Sequence, residues 1–296
     1  MKILITGATG LIGSEITSQC HQHNLSVHYL TTSTDKLVSN ENHKGFYWNP
    51  TTGEIDGKCF EGVTAIINLA GASISRRWTK KYKAEILNSR INALRTLNEG
   101  LKHIDTRKIK SFVSASAIGI YPNSLSNYYE ETETGVDDSF LGEVVKRWEK
   151  EADTFESYGF SVSKIRIGLV MASDGGALPE IAKPIKYGLG AAFGAGTQWQ
   201  SWIHIGDLAR MFLYVIENQL KGVYNGVGPN PVTNLKLTKE LARVMNKPLI
   251  LPNIPKFVMQ TALGEMSYIL FNSQRVSSKK IEEEGFVFGY QNICRA

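Results

Sequence analysis

The chain has 296 residues, 42% of them hydrophobic and 21% charged, with a formal net charge of +5. That length suits one large α/β domain with a smaller appendage, and the apolar content is enough for a sizeable core, which excludes wholesale disorder. The positive balance is mild and comes without a dense Lys/Arg block, so no nucleic-acid partner is expected. Cys20, Cys59 and Cys294 stand far apart. They form neither a disulfide framework nor a C-x-x-C metal or redox spacing, and no metal site is expected. The apolar start is broken by Gly7 and Gly10 and has only Lys2 before it, unlike a signal peptide. No run approaches the roughly 18 apolar residues of a membrane helix. The expectation is a soluble, cytoplasmic protein with no membrane partner, either monomer or homodimer.

In chain order, Lys2–Thr6 reads as a compact apolar strand, and Ser14 to about His23 as a helix. "SVHYLT" at 26–31 is the second strand, and "AIINLA" at 65–70 another. Leu87, Ile91 and Leu94 fall at helical spacing, and "SFVSAS" at 111–116 is the next strand. Val145, Trp148, Ala152 and Phe155 mark one face of a helix, and "SVSKIRIGLVM" at 161–171 is a long β-type run. Strands alternating with helices imply right-handed crossovers and a doubly wound parallel sheet. After Met171 Gly and Pro multiply, and from about Val232 the chain looks helical with "PNIP" as a breaker. The expected division is a nucleotide-binding core over 1–171 and a loop-rich, helical part over 172–296, with 200–228 returning to the core.

Gly7, Gly10 and Gly13 lie between the first strand and the first helix. Glycine there permits a tight turn, close approach of the backbone to a pyrophosphate, and close helix–strand packing. The helix N-terminus then offers free N–H groups to phosphate. The end of the second strand speaks to the cofactor. NAD binders usually carry an acid there for the ribose 2′-OH. This chain reads "YLTTSTDK", with Thr31, Thr32 and Ser33 in that place. A carboxylate repels a 2′-phosphate, whereas hydroxyls bond it, so NADP is expected in preference to NAD. Asp35 comes later and reads as the cap of the following turn.

"TGATGLIG", "INLAGASI", "RRWTKKYKAEILNSR", "SASAIGIY", "IRIGLVM" and "WIHIGDLARM" occur in that order. Together they resemble the extended and atypical short-chain dehydrogenase/reductase superfamily, and more closely its epimerase-family proteins, described as NAD-dependent epimerase/dehydratase-like or nucleoside-diphosphate sugar epimerase-like. "FNSQRVSSKKIEEEGFVF" is similar to the small terminal region of that family. The resemblance implies a Rossmann core holding NADP(H) beside a small-molecule substrate. Carried over by position, Thr6, Gly7, Gly10, Leu11, Ile12 and Gly13 line the pyrophosphate, and Thr31 and Thr32 face the adenosine ribose. Asn68, Leu69 and Ala70 end a strand beside the cofactor, and Ser89 and Arg166 match positions near the nucleotide.

Members of the superfamily use a Ser, and a Tyr and Lys in Y-x-x-x-K. The tyrosine must stand one helical turn before the lysine for both to reach one cleft. Here the helix reads "DDSFLGEVVKRWEKEA" at 137–152. Phe140 or Leu141 stands in the tyrosine position and Val144 or Val145 in that of the lysine, while Lys146 is out of register. Ser116, in the usual serine position, and Tyr121 are the remaining catalytic candidates. His204 and Trp202 are expected to line the substrate side, with Asp207 capping a helix whose apolar face is Leu208, Met211, Phe212 and Val215. "RRWTKKYK" at 76–83 reads either as an anion-attracting patch or as an exposed helix start. "GLGAAFGAGTQWQ" at 188–200 reads as a lid or a long connection. The expectation is an epimerase-like or oxidoreductase-like NADP(H) protein, or alternatively a non-catalytic NADP(H)-binding sensor.

Overall fold

The computed structural model describes residues 1–295. Seven parallel strands carry the architecture: β1 (Lys2–Thr6), β2 (Ser26–Thr31), β3 (His43–Asn49), β4 (Ala65–Asn68), β5 (Ser111–Ala117), β6 (Ser161–Ile167) and β7 (Gly222–Gly226). Their order in the sheet is β7-β6-β5-β4-β1-β2-β3. Ser39–Asn40 and Glu54–Ile55 add short antiparallel pieces beside β3. The order reverses between β1 and β4, the switch point at which sheets of this kind bind ligands beyond the strand ends.

The longer helices are α1 (Leu11–Gln22), α2 (Lys80–Leu101), α3 (Phe140–Asp153), α4 (Ala177–Lys186), α5 (Ile205–Glu217), α6 (Asn234–Val244) and α7 (Lys256–Leu263), with short ones at Tyr268–Phe271 and Lys279–Glu283. Helix α1 packs on α5, and α2 on α3. Strand β1 is covered on both sides: Ile3, Leu4 and Ile5 have no exposed surface. That explains its unbroken apolar run, since a parallel strand under helices has no solvent face. Each such side chain contributes roughly 1.5–3 kcal/mol on burial.

Four boundaries differ from the sequence reading. Helix α1 begins at Leu11, directly after Gly10. Strand β3 was not anticipated. Its Gly45 breaks the strand signature, and a Cβ there would lie 2.5 Å from the Tyr29 ring and force that buried ring to shift. The long run at 161–171 is two strands. Gly168 separates β6 from Leu169–Ala172, which pairs with Trp202–His204 in a small second sheet. A Cβ on Gly168 would stand 2.3 Å from Ser201 O, so only glycine fits the crossing point. Asp35 lies inside the short Thr34–Lys36 turn, whose cap is Ser33.

From 200 onward the chain turns back to the sheet. Helix α5 buries Leu208, Met211, Phe212 and Val215 completely, and β7 pairs with β6. Its cap is His204, whose Nδ1 accepts from Gly206 N at 3.1 Å. Asp207 does other work. It accepts from the Gly289 and Tyr290 amides at 3.0 and 2.8 Å and pairs with Arg210, which ties the C-terminal segment to the core.

Candidate functional site

The loop after β1 is shaped by two of its glycines. Gly7 has φ +70°, and a Cβ on it would come within 3.1 Å of Leu69 C. A Cβ on Gly13 would lie 2.2 Å from Gly7 O. The loop therefore closes on the start of α1 and leaves Gly10, Leu11 and Ile12 at least partly open to solvent. The N-terminus of α1 has no side-chain cap and no acid in its first turn. Its amides and the positive end of its dipole face outward, which suits an anion. The hairpin at 169–176 comes down beside this loop, with Cβ positions on Gly175 and Gly176 each 3.1 Å from the Leu11 side chain.

Two rows of polar side chains cross the strand tips, and both follow from the register. In the first, Thr6 stands opposite Asn68 and Asn68 opposite Ser114. Thr6 Oγ1 donates to Asn68 Oδ1 at 2.8 Å and accepts from the amides of Leu69 and Ala70, at 3.0 and 3.1 Å. Asn68 Nδ2 donates to Ser114 Oγ at 3.1 Å. Thr6 and Asn68 have no exposed surface. Their side chains hold the loop that follows β4 against the glycine loop, and the half-buried Leu69 and Ala70 form its edge.

The second row is Ser116, Arg166 and Asn225, opposite one another on β5, β6 and β7. Arg166 Nε and Nη2 donate to Glu149 at 2.8 and 2.9 Å, and Nη1 donates to Tyr121 Oη at 3.0 Å. Ser116 Oγ donates to Glu149 Oε1 at 2.6 Å, and Tyr121 Oη donates to Asn225 Oδ1 at 2.7 Å. Glu131 accepts from Asn225 N at 2.8 Å. Burial raises the Glu149 carboxyl, but the Arg166 hydrogen bonds and charge, with Ser116, outweigh it and hold the group below its ordinary value. Burial likewise lowers the Arg166 guanidinium, and the same pairing more than reverses the effect. Burial pushes Tyr121 up to about 12. Such a set is satisfied donor by donor, as buried polar groups must be.

These contacts place the sequence candidates. Gly7, Gly10, Leu11, Ile12 and Gly13 come together at one loop. Thr31 is buried, with its Oγ1 accepting from Ser33 N at 3.2 Å, while Thr32 is exposed beside it. Ser89 Oγ accepts from Ala72 N at 2.9 Å, and Arg90 Nη1 donates to Ala72 O at 3.2 Å, so α2 anchors the loop after β4. Arg166 spends its donors on Glu149 and Tyr121. Ser116 and Tyr121 are turned into the same network, and Tyr121 has no exposed surface. Trp202 is fully buried with Nε1 donating to Asn230 O, which leaves it no surface for lining a cleft. His204, half-buried, stacks on Tyr290 at 3.8 Å. Its acid form is disfavoured by burial.

On α3 the tyrosine and lysine positions are apolar in fact. Phe140 meets Trp78 edge to face at 5.3 Å, and Val144 and Val145 are buried in two separate clusters. Lys146 is exposed. In the basic stretch, Arg76, Arg77, Lys80 and Lys81 are exposed, Trp78 is buried, and Lys83 pairs with Glu265 at 2.6 Å. Tyr82 Oη donates to Ser73 O at 2.6 Å, folding the loop back on α2. The 188–200 segment is tied down: Gly194 N donates to Ile254 O, Gln198 Nε2 to Leu270 O, and Trp199 Nε1 to Leu125 O.

Sequence reasoning missed Glu149, Asn225, Glu131 and Arg90. For Glu149 a signal existed: it sits four residues after Val145, inside the apolar stripe of α3, where an acid requires a partner.

Residues 3–226 match the model of the NAD dependent epimerase/dehydratase family, and residues 254–296 match a domain of unknown function, DUF1731. An epimerase family protein of Staphylococcus haemolyticus is 36% identical, over 99% of this chain and 96% of that one. The crystal structure of a human epimerase family protein, SDR39U1, with NADPH is 25% identical with a TM-score of 0.86, covering 100% of this chain and 97% of that one. The UDP-glucose 4-epimerase of Thermus thermophilus in complex with NAD shares the fold, at 17% identity and a TM-score of 0.75, over 99% of this chain and 97% of that one. Glycine loop, strand order and C-terminal segment thus agree with one another, and the chain belongs to the NAD-dependent epimerase/dehydratase family.

Proposed function

We propose that the protein binds NADP(H) in preference to NAD(H) and acts on a small polar substrate without a Tyr–Lys relay. The observation that carries the reading is the pairing of an acid-free α1 N-terminus with a β2 end that presents hydroxyls where an NAD binder carries a carboxylate. The residues fit such a cofactor. Gly7 and Gly13 form a cradle that a Cβ would fill. The Gly10 amide closes the turn on Gly7 O at 3.0 Å, and the amides of Leu11 and Ile12 at the start of α1 would be the donors to a pyrophosphate. Thr32, exposed beside the closed Thr31–Ser33 turn, would be the hydroxyl that meets a 2′-phosphate. The loop from Leu69 to Ala72, fixed by Thr6, Ser89 and Arg90, forms the wall beyond β4. A nicotinamide held there supplies hydride exchange at its C4. The NADPH bound to the human relative supports the same choice of cofactor.

Thermal unfolding with each cofactor tests this. A ligand present at 100 times its Kd stabilises by about 2.7 kcal/mol. NADP is expected to raise the midpoint more than NAD at equal concentration, and Thr32→Glu is expected to reverse the order. Equal protection by both in the wild type would remove the 2′-phosphate argument. A second reading, a non-catalytic NADP(H) sensor, is favoured by one observation: Val144 and Val145 are core residues, so α3 offers the cleft no titratable pair. Cofactor binding without turnover of any carbonyl or sugar-nucleotide panel would support it.

A further inference from the structure

One flank far in sequence from the glycine loop is both greasy and basic. The segments 181–200 and 241–264 contain Lys183, Lys186, Arg243, Lys247 and Lys256, with Glu180, Glu240 and Glu265 at their edges. Glu240 is paired with Arg243 at 2.9 Å and Glu265 with Lys83 at 2.6 Å, so the lysines are in excess. They are neighbours in space. Gly194 N donates to Ile254 O and Ile254 N to Ala192 O, at 2.9 and 2.8 Å, and a Cβ on Gly190 would lie 2.9 Å from Leu249 Cδ2. Helix α4 packs on α6, whose end leads into this pair of segments. Large apolar side chains stand out from them: Ile250 is 74% exposed, Tyr187 70% and Phe257 68%, with Leu189, Val244 and Leu251 beside them in sequence also exposed. Scattered apolar residues on a surface are ordinary, but a group of this size on two adjoining, lysine-bearing segments is not.

We propose that this flank is a docking surface for an anionic phospholipid bilayer, with Ile250, Tyr187 and Phe257 entering the interface and the lysines meeting the headgroups. The combination of aliphatic and aromatic tips with a cationic rim is what an interfacial anchor needs. Charge decides against a second copy of this chain as occupant. Pairing the flank with itself would bring Lys183, Lys186, Lys247 and Lys256 of two copies together, while Glu240 and Glu265 at its edge are already engaged by Arg243 and Lys83. No helix among the described residues is long and apolar enough to cross a membrane, so the contact is peripheral. It is independent of the cofactor reading.

The test is flotation of the full chain with phosphatidylcholine vesicles and with phosphatidylcholine/phosphatidylglycerol vesicles. Wild type is expected to float with the anionic vesicles only, and less as salt rises. Ile250→Ser with Phe257→Ser, and separately Lys183→Glu with Lys186→Glu, are each expected to lower binding by roughly tenfold or more. Circular dichroism and thermal midpoints check that both variants are folded. Absence of flotation by folded wild type on anionic vesicles would overturn the proposal. So would binding that the folded variants retain in full. A wild-type dimer by light scattering that the serine variant converts to monomer, without vesicle binding, would assign the flank to a second copy instead.

Discussion

Arg166→Met removes one member of the most deeply charged pair at the strand tips. The Arg166 and Glu149 side chains are 8% and 9% exposed, and two hydrogen bonds of 2.8 and 2.9 Å join them. Methionine keeps much of the volume but leaves the Glu149 carboxylate with Ser116 as its one side-chain donor and takes Nη1 away from Tyr121. Breaking a buried pair in this way costs about 3–5 kcal/mol, because an uncompensated charge stays behind. The assay is equilibrium urea unfolding near pH 7, followed by circular dichroism. Acid provides a second check. In the wild type the Glu149 carboxyl is held low, so its contribution is fully present above the unfolded value of about 4.3 and is lost as pH falls through the lower folded value. In the variant, burial acts without the guanidinium and raises the folded pKa, so acidification relieves the strain of the buried charge. The stability gap between wild type and variant should therefore narrow as pH falls from above the unfolded value of about 4.3 to below it. A variant within about 1 kcal/mol of wild type near pH 7 would refute the reasoning, since the pair would then behave like one on the surface.

Gly13→Ala forces a Cβ against the Gly7 and Ala8 backbone, at 2.2 and 2.6 Å. It should cost about 1–3 kcal/mol and abolish thermal protection by NADP. Gly53→Ala, at φ +79° with nothing within 4 Å, should cost about 1–2 kcal/mol of backbone strain and leave that protection intact. Grafting Leu141→Tyr with Val145→Lys should fail to create reductase activity and should destabilise by several kcal/mol, because position 145 lies among Ile120, Tyr121, Tyr129, Val227 and Val276. A folded double variant with NADPH-dependent turnover would contradict this. Titration with a thiol reagent should show one fast cysteine, the exposed Cys294, and two released by denaturant. Cys20 is pushed up to about 12 by burial, and Cys59 is raised by the same cause.

The parallel sheet was legible because its strands are buried on both faces, so apolar runs such as Ile3–Ile5 and Ile66–Ile67 mark themselves. The glycine loop was legible because its constraint is local: turn, close approach and helix start fall within seven residues. Strand β3 escaped because Gly45 answers to Tyr29, a neighbour across the sheet. Gly168 escaped for the same reason, since its clash is with Ser201 O. The network of Ser116, Arg166 and Asn225 depends on the register of three strands spread over more than a hundred residues, which composition and spacing do not encode. Reading Ser116 and Tyr121 singly made them resemble members of a relay. Their partners show them instead as members of a satisfied set.

That distinction bears on the reaction. A proton relay needs a group open to the cleft and poised near the working pH. Tyr121 has neither property: it has no exposed surface, and burial has pushed it up to about 12. Ser116 is committed to Glu149, and Glu149 is charged and enclosed. The charged set at the tips of β5, β6 and β7 thus consumes its own hydrogen-bonding capacity, and its physical product is rigidity. It fixes three strand ends beside the switch point without sending a titratable atom into it. Past β4 the exposed hydroxyls include those of Ser73 and Ser75, which bond each other at 2.6 Å. Neutral hydroxyls and backbone amides orient a substrate and polarise it, but they do not hold a proton at neutral pH. On the proposed function, the chemistry that fits this site is hydride exchange with a substrate whose own groups, or solvent, carry the proton.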